Sequence, residues 1–151
     1  MVLDLISYEN ANFFNEMYLD KLRSGKATDF THGSAHRYVL PILSDLKEVP
    51  ENVNLVSVKS DAQAMRCGSS IIVTPEILTE VGFEYPVVNK RKTGKKNTFF
   101  YATGTMGDTP FRNSLTKFDT AKKVSSAWIG SETQFPGEPQ LILNPNGVVI
   151  P

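Results

Sequence analysis

The sequence predicts a mostly β protein with a single helix. Short runs of strand-forming residues recur along most of the chain, and turn residues separate them throughout. Only one segment, near the start, has apolar residues at helical spacing. Consecutive hairpins of short strands are typical of a β-propeller or a β-sandwich. No internal repeat or linker divides the 151 residues, so the chain forms one structural unit or part of one.

The elements follow from local patterns. Residues 2–6 predict a strand, and residues 10–23 predict a helix that Gly25 ends. Seven further strands are predicted at 37–43, 53–59, 69–74, 97–103, 114–119, 122–129 and 140–143. The turn at 119–122 predicts a hairpin that pairs 115–118 with 124–128. Thr74-Pro75-Glu76 is typical of a turn or a helix start. The strand-like run 147–150 has no successor to pair with, which indicates a segment of a longer protein.

Composition narrows the class of partner and the compartment. The 16 basic residues balance the 16 acidic ones, so no overall field favours nucleic acid. Cys67 is the only cysteine, which excludes an internal disulfide and a cysteine-based zinc cluster and fits a reducing compartment. No apolar run approaches the ~20 residues of a membrane span. We therefore expect a cytoplasmic protein whose membrane contact, if any, is peripheral.

Two motifs resemble functional sites, but a structural interpretation of each is simpler. His32 and His36 have the i, i+4 spacing of a helical metal pair, yet Gly33 and an extended run beside them predict loop or strand-entry histidines. The basic run 90–96 could be a nuclear signal or a phosphate-binding patch. Its turn glycine and flanking strands favour a solvated hairpin loop whose lysines protect a sheet edge.

Several short segments occur in the order found in one enzyme family. The sharpest is Phe-Pro-Gly-Glu-Pro at 135–139, which follows a strand containing Trp128. The others are Asp4-Leu5, Tyr18-Leu19, Leu22-Arg23, Arg37-Tyr38-Val39-Leu40-Pro41, Pro75-Glu76, Phe83-Glu84-Tyr85-Pro86, Asn89, Gly94-Lys95, Tyr101-Ala102, Gly104 and Leu115-Thr116-Lys117-Phe118-Asp119. Together they cover almost the whole chain and resemble the carotenoid cleavage oxygenases, which include β-carotene cleavage enzymes and the retinoid isomerohydrolase.

The resemblance implies a seven-bladed β-propeller in the complete protein. Residues 1–151 would supply about two blades and one connecting helix, as a partial carotenoid oxygenase domain. In the family four histidines hold a ferrous ion, and glutamates orient three of them. Glu138 matches one such glutamate, whereas all four histidines fall outside this chain, so we expect no metal ligand here and no activity from this chain alone. Tyr8 corresponds to a position near the substrate tunnel, and Phe14 lies on the helix that follows.

The implied function is oxidative cleavage of a conjugated double bond of a carotenoid, with Fe(2+) and dioxygen, to apocarotenals such as retinal. The partners would be a carotenoid or retinoid substrate and dioxygen. Nucleic acid is not expected as a partner. Two alternatives remain open. One is a retinoid isomerohydrolase of the same family. The other is a non-catalytic β-rich module that binds an apolar ligand or another chain.

Overall fold

The computed structural model describes residues 1–26, 31–79, 82–106 and 111–149. These residues form nine strands and two short α-helices, so the predicted mostly β fold is confirmed. The elements are β1 (Val2–Ser7), α1 (Asn12–Glu16), α2 (Leu19–Ser24), β2 (Ser34–Val39), β3 (Gln63–Cys67), β4 (Ser70–Thr74), β5 (Glu76–Thr79), β6 (Phe83–Val87), β7 (Phe99–Gly104), β8 (Ser114–Asp119) and β9 (Val124–Ile129). Single 3-10 turns lie at Leu46–Glu48 and Lys90–Lys92.

The strands form three antiparallel sheets. The N-terminal sheet has the order β1-β2-β5, β3 and β4 form a separate hairpin, and the four-stranded sheet has the order β6-β7-β8-β9. The hairpin predicted around 119–122 is confirmed, with Leu115 opposite Trp128 and Phe118 opposite Ser125. Its turn is held by the Asp119 carboxylate, which accepts from the backbone N–H groups of Ala121 and Lys122.

The predicted helix over 10–23 is broken in two. Tyr18 has an extended backbone, with φ −66° and ψ 134°, and separates α1 from α2. The helical pattern assumed a core partner for the apolar face, but Phe14 and Tyr18 are 71% and 61% exposed. Neither helix has a buried residue, so no packing supports a longer one. The predicted stop is confirmed, because Gly25 caps α2 at φ 66°.

Most predicted strands are confirmed within a few residues, and two are wrong. Residues 53–59 and 140–143 contain only the isolated bridges Asn54–Met65 and Leu143–Val149. The side-chain oxygen of Asn54 accepts hydrogen bonds from the backbone N–H groups of Val56 and Ala64. These bonds replace the backbone hydrogen bonds that a paired strand would form here. Three strands were not predicted: β3, β5 and β6. Glu76 begins β5 rather than a helix. The strand-like C-terminal run was predicted over 147–150, and its last residue lies outside the described residues.

The core lies between the four-stranded sheet and the N-terminal sheet. Phe83, Phe100 and Phe118 pack together, with ring centroids 5.0 to 5.9 Å apart. Ala35 and Leu78 of the N-terminal sheet are buried in the same cluster, and Ile6 packs against it. The aromatic face of one sheet is therefore covered by the other, which fixes β1 and the residues after it against the start of β6.

A second link joins the two sheets through charge. Lys123, in the β8–β9 turn, has its Nζ 2.7 Å from the Glu76 carboxylate of β5 and 3.3 Å from Asp61. Glu76 is 8% exposed and also accepts from the Ser60 hydroxyl. Burial raises the pKa of Glu76, but the hydrogen bonds from Lys123 and Ser60 and the lysine charge outweigh it, so its pKa lies below the ordinary value.

Replacing Lys123 by methionine is expected to destabilise the protein by about 1–2 kcal/mol, because the largely buried Glu76 carboxylate loses its lysine counter-charge and keeps only its hydrogen bonds from Ser60 and Asp61. Since the folded-state pKa of Glu76 is lowered, its contribution is present above about pH 4.5 and is lost as the pH falls. Urea unfolding at neutral and acid pH measures both effects. The control is Lys122→Met, a neighbouring exposed lysine. Equal stability of the two variants at neutral pH would contradict the role of Lys123.

Candidate functional site

A small polar cavity lies where β1, the following loop and β6 meet. Tyr8, Phe13, His32, Glu84, Thr105 and Arg112 line it, and its volume of about 10 Å³ has room for roughly one water molecule. Two glycines let the backbones approach closely here. A Cβ atom at Gly33 would lie 2.5 Å from Ile6 Cγ2, and one at Gly82 would lie 2.8 Å from His32 Cβ. Larger residues at these positions would therefore push the walls of the cavity apart.

Glu84 makes polar contacts with two other residues that line this cavity. Its Oε1 atom accepts the Tyr8 hydroxyl and lies 3.5 Å from Arg112 Nη2, while Oε2 accepts the backbone N–H of Tyr85. The β6–β7 register shifts after Glu84, and Tyr85 adopts a left-handed φ of 50°. Such a bulge bends a strand and changes the direction of its side chains. We infer that it sets the orientation of the Glu84 carboxylate.

Arg112 is held by aromatic rings as well as by Glu84. Its guanidinium carbon lies 5.6 Å from the centroid of the Phe13 ring and 5.0 Å from that of Tyr85. Phe13 in turn lies 5.9 Å from the Tyr8 ring, centroid to centroid. The cluster therefore fixes one tyrosine hydroxyl and one aromatic face at the cavity.

Replacing Glu84 by glutamine is expected to destabilise the protein by about 1–2 kcal/mol. The amide oxygen still accepts from Tyr8, but the guanidinium of Arg112, whose side chain is 21% exposed, loses its counter-charge. Urea unfolding measures the change. Glu51→Gln is the matched control, because its 3.8 Å pair with Arg66 is more exposed and is expected to contribute less than about 1 kcal/mol. Equal effects of the two changes would contradict a special role for Glu84.

The predicted substrate residues have different surroundings. Tyr8 lines the cavity, whereas Phe14 is 71% exposed and contacts the edge of Phe13, with centroids 5.8 Å apart. Phe13, not Phe14, contributes to the cavity wall. The roles of Tyr8 and Phe14 toward a substrate stay predictions.

Glu138 lies in an exposed bend after β9 and is not among the cavity residues. Its carboxylate has no hydrogen bond or ion pair with the residues that the structure describes. Beside it, Phe135 packs against Phe111, with centroids 5.4 Å apart, and Pro139 borders an apolar groove of about 490 Å³. This groove lies between residues 139–149 and the outer face of the four-stranded sheet, where Leu115 and Trp128 lie. The role of Glu138 stays a prediction.

The two histidines occupy a loop and a strand, as predicted. His32 lines the cavity, and His36 is in β2 opposite Leu5, with its Nε2 atom 2.9 Å from the Ser34 hydroxyl. His36 Nδ1 is buried and lacks a hydrogen-bond partner among the described residues. No group of three or more His, Cys, Asp or Glu side chains that could hold a metal occurs in the described ranges. Neither histidine is therefore part of such a group among the described residues.

Phe13, Glu84 and Arg112 were not predicted as site residues from the sequence. Glu84 stands between two aromatic residues at the start of β6, a signal that could have singled it out. Arg112 follows residues 107–110, which the structure does not describe, and its pairing with Glu84 is a long-range contact that local patterns do not reveal. Within the described residues, no helix is long and apolar enough to cross a membrane.

Antiparallel sheets with a small cavity lined by a glutamate are compatible with many functions. Comparison with known proteins identifies the family. The model of the retinal pigment epithelial membrane protein family matches residues 1–149. The chain therefore belongs to this family, the carotenoid oxygenases, as the resemblance predicted. It is also 32% identical over 96 residues to the carotenoid isomerooxygenase of Drosophila melanogaster. The matched region covers 62% of this chain and 15% of that relative's length.

Proposed function

We propose that this chain works as part of an Fe(II)-dependent dioxygenase that cleaves a conjugated double bond of a carotenoid to apocarotenals such as retinal. The observation that carries the proposal is the family match over residues 1–149. Similarity to a protein named carotenoid isomerooxygenase supports the same substrate class. A carotenoid or retinoid and dioxygen are the partners under this proposal.

Part of a seven-bladed propeller is the architecture that goes with this function. The four-stranded antiparallel sheet β6-β7-β8-β9 has the strand number and order of one propeller blade. The N-terminal sheet, which packs on its aromatic face, is the candidate for the preceding blade. Under this proposal residues 1–151 are a partial domain of about two blades.

Under this proposal iron would supply the activation of dioxygen, and the four histidines that the family resemblance implies, which fall outside residues 1–151, would hold it. The residues of this chain would position an iron-bound histidine and shape the substrate site. Glu138 would accept the ring N–H of an iron-bound histidine from elsewhere in the protein, which fixes the orientation of that imidazole. Glu84 has the same chemistry available and lies at a cavity wall, so it is a second candidate for this role. Tyr8, fixed by Glu84, and Phe13 would form a wall beside the apolar substrate.

Two other functions compete with carotenoid cleavage. A retinoid isomerohydrolase would use the same fold and substrate class for a different reaction. A non-catalytic β-rich module would use the 490 Å³ groove to bind an apolar ligand or another chain. A cytoplasmic protein with a peripheral membrane contact fits the two enzymatic proposals, because their apolar substrates dissolve in lipid.

A product assay separates these functions. A complete protein that contains this chain is supplied with ferrous iron and is incubated with β-carotene or with a retinyl ester. Chromatography is expected to show aldehydes from β-carotene, and removal of iron with a chelator should abolish them. Isomerised retinol from the ester alone would favour the isomerohydrolase. No product from either compound would favour the binding module.

A further inference from the structure

We propose that Thr93, in the loop of residues 88–98, is a phosphorylation site for a protein kinase that selects basic surroundings. This inference does not depend on the reaction that the complete protein catalyses. The loop joins β6 to β7, and five cations lie within three positions of Thr93: Lys90, Arg91, Lys92, Lys95 and Lys96. No acidic residue lies between 85 and 106. Kinases choose among hydroxyls partly by the charges around them, so this density of cations singles out Thr93.

The shape of the loop makes the Thr93 hydroxyl accessible. Thr93 is exposed, and its hydroxyl forms no hydrogen bond with a described residue. Its backbone is extended, with φ −57° and ψ 133°, at the point where the chain leaves the 3-10 turn Lys90–Lys92. Gly94 follows with φ 71°, and a Cβ atom there would have no atom within 4 Å. The space around the acceptor is therefore open, and a kinase cleft can reach it while the sheet stays folded.

A phosphate on Thr93 would act on the contact that anchors the loop. The Asn89 side chain donates to the Gly147 carbonyl at 2.9 Å, and Arg91 donates to the Pro145 carbonyl at 3.2 Å. A phosphothreonine carries about −1.5 to −2 charges at pH 7. Two residues from Arg91, it would offset part of the positive charge of the loop and compete with the Pro145 carbonyl for the guanidinium. Phosphorylation would therefore loosen the contact between the loop and the turn at 144–148.

Three other hydroxyls with cations nearby fit the role less well. Ser24 is exposed and has three cations within three positions, but its hydroxyl donates to the Lys21 carbonyl at 3.0 Å at the end of α2. Thr120 also has three, but it is only 8% exposed. Thr98 lies in the same loop as Thr93, but it is half-buried, and its carbonyl accepts from the N–H and the hydroxyl of Thr120. Thr93 therefore combines the most cations with the most accessible hydroxyl of the four.

The chemical step is phosphoryl transfer from a nucleoside triphosphate that the kinase binds. The Thr93 Oγ atom forms a bond to the γ-phosphorus, and the bond from that phosphorus to the β–γ bridging oxygen breaks. The nucleoside diphosphate leaves, and the hydroxyl proton passes to a carboxylate of the kinase. This chain supplies the acceptor hydroxyl and the cations that complement an acidic cleft.

The test incubates a complete protein that contains this chain with ATP and the catalytic domain of a protein kinase C, which selects basic surroundings. Chymotrypsin then releases the peptide between Phe83 and Phe99, whereas trypsin would cut at the lysines of the loop. Mass spectrometry of this peptide is expected to place one phosphate on Thr93. Thr93→Val should abolish the phosphate, and Thr93→Ser should retain it. The same phosphopeptide is expected in protein isolated from its source with phosphatase inhibitors.

Two lysine variants test whether the cations direct the kinase. The loop variant changes to glutamine the residues Lys90, Lys92, Lys95 and Lys96. The control variant removes the same charge from four exposed, dispersed lysines, which are Lys26, Lys47, Lys59 and Lys122. The loop variant is expected to lower kcat/KM for phosphorylation of Thr93 at least about 10-fold, and the control variant should stay within about 2-fold.

Four results would each overturn the proposal. The first is phosphate on Thr98 or Ser24 with none on Thr93. The second is an equal rate for the two lysine variants. The third is faster phosphorylation of Thr93 by casein kinase 2, which selects acidic surroundings. The fourth is a loop peptide that is entirely unmodified in protein isolated from its source.

Discussion

Replacing Phe83 by alanine is expected to destabilise the protein by about 3–5 kcal/mol, the range found when a buried phenylalanine is removed from a well-packed core. Phe83 is 1% exposed and contacts the rings of both Phe100 and Phe118. Its removal would leave a cavity between the two sheets. Urea unfolding followed by circular dichroism gives the change in the free energy of unfolding.

Phe14→Ala is the matched control for this prediction. It deletes the same side chain from a position that is 71% exposed, and its effect should stay within about 0.5 kcal/mol. If Phe83→Ala does not fold, Phe83→Leu provides the measurement, with a cost expected to be smaller than that of Phe83→Ala and larger than that of Phe14→Ala. A Phe83→Ala variant as stable as Phe14→Ala would show that the two sheets do not share this core.

Replacing Glu138 by glutamine is expected to lower iron retention or turnover of the complete protein by about 10- to 100-fold. An amide oxygen accepts the ring N–H of a metal-bound imidazole less strongly than a carboxylate does, so the imidazole would be held less rigidly. Metal analysis after dialysis measures retention independently of activity. Carotenoid turnover at saturating iron gives the second value.

Glu132→Gln is the control for Glu138, because Glu132 is an exposed glutamate six residues away in the same irregular segment. Its iron content and rate should match those of the original protein. Unchanged iron content and rate in Glu138→Gln would refute the proposed role. A loss in Glu84→Gln, without one in Glu138→Gln, would transfer that role to Glu84, which the structure places at a cavity wall.

Local patterns predicted the hairpin of β8 and β9 well, because a four-residue turn signal and two flanking runs are adjacent in sequence. They failed where a distant partner decides the outcome. β5 and β6 are short, and β5 follows Pro75 directly, so only their pairing with β2 and β7 makes them strands. The helix at 10–23 was predicted too long because its apolar face has no core to cover.

The candidate site was predicted only in part, for the same reason. Tyr8 was singled out through the family resemblance, but nothing local to it indicates that its hydroxyl meets Glu84, 76 residues away. Arg112 lies far from both in sequence. A site assembled across two sheets is defined by strand register and by the bulge after Glu84, which follow from the fold rather than from any one segment.

The fate of dioxygen tests the proposed cleavage reaction directly. A complete protein that contains this chain is incubated with β-carotene under ¹⁸O₂ and ferrous iron, and the products are extracted rapidly for mass spectrometry. The carbonyl oxygen of each aldehyde is expected to carry the heavy isotope, because a dioxygenase delivers one oxygen atom to each product. Unlabelled aldehydes, or no cleavage of any carotenoid at saturating iron, would contradict the proposed reaction.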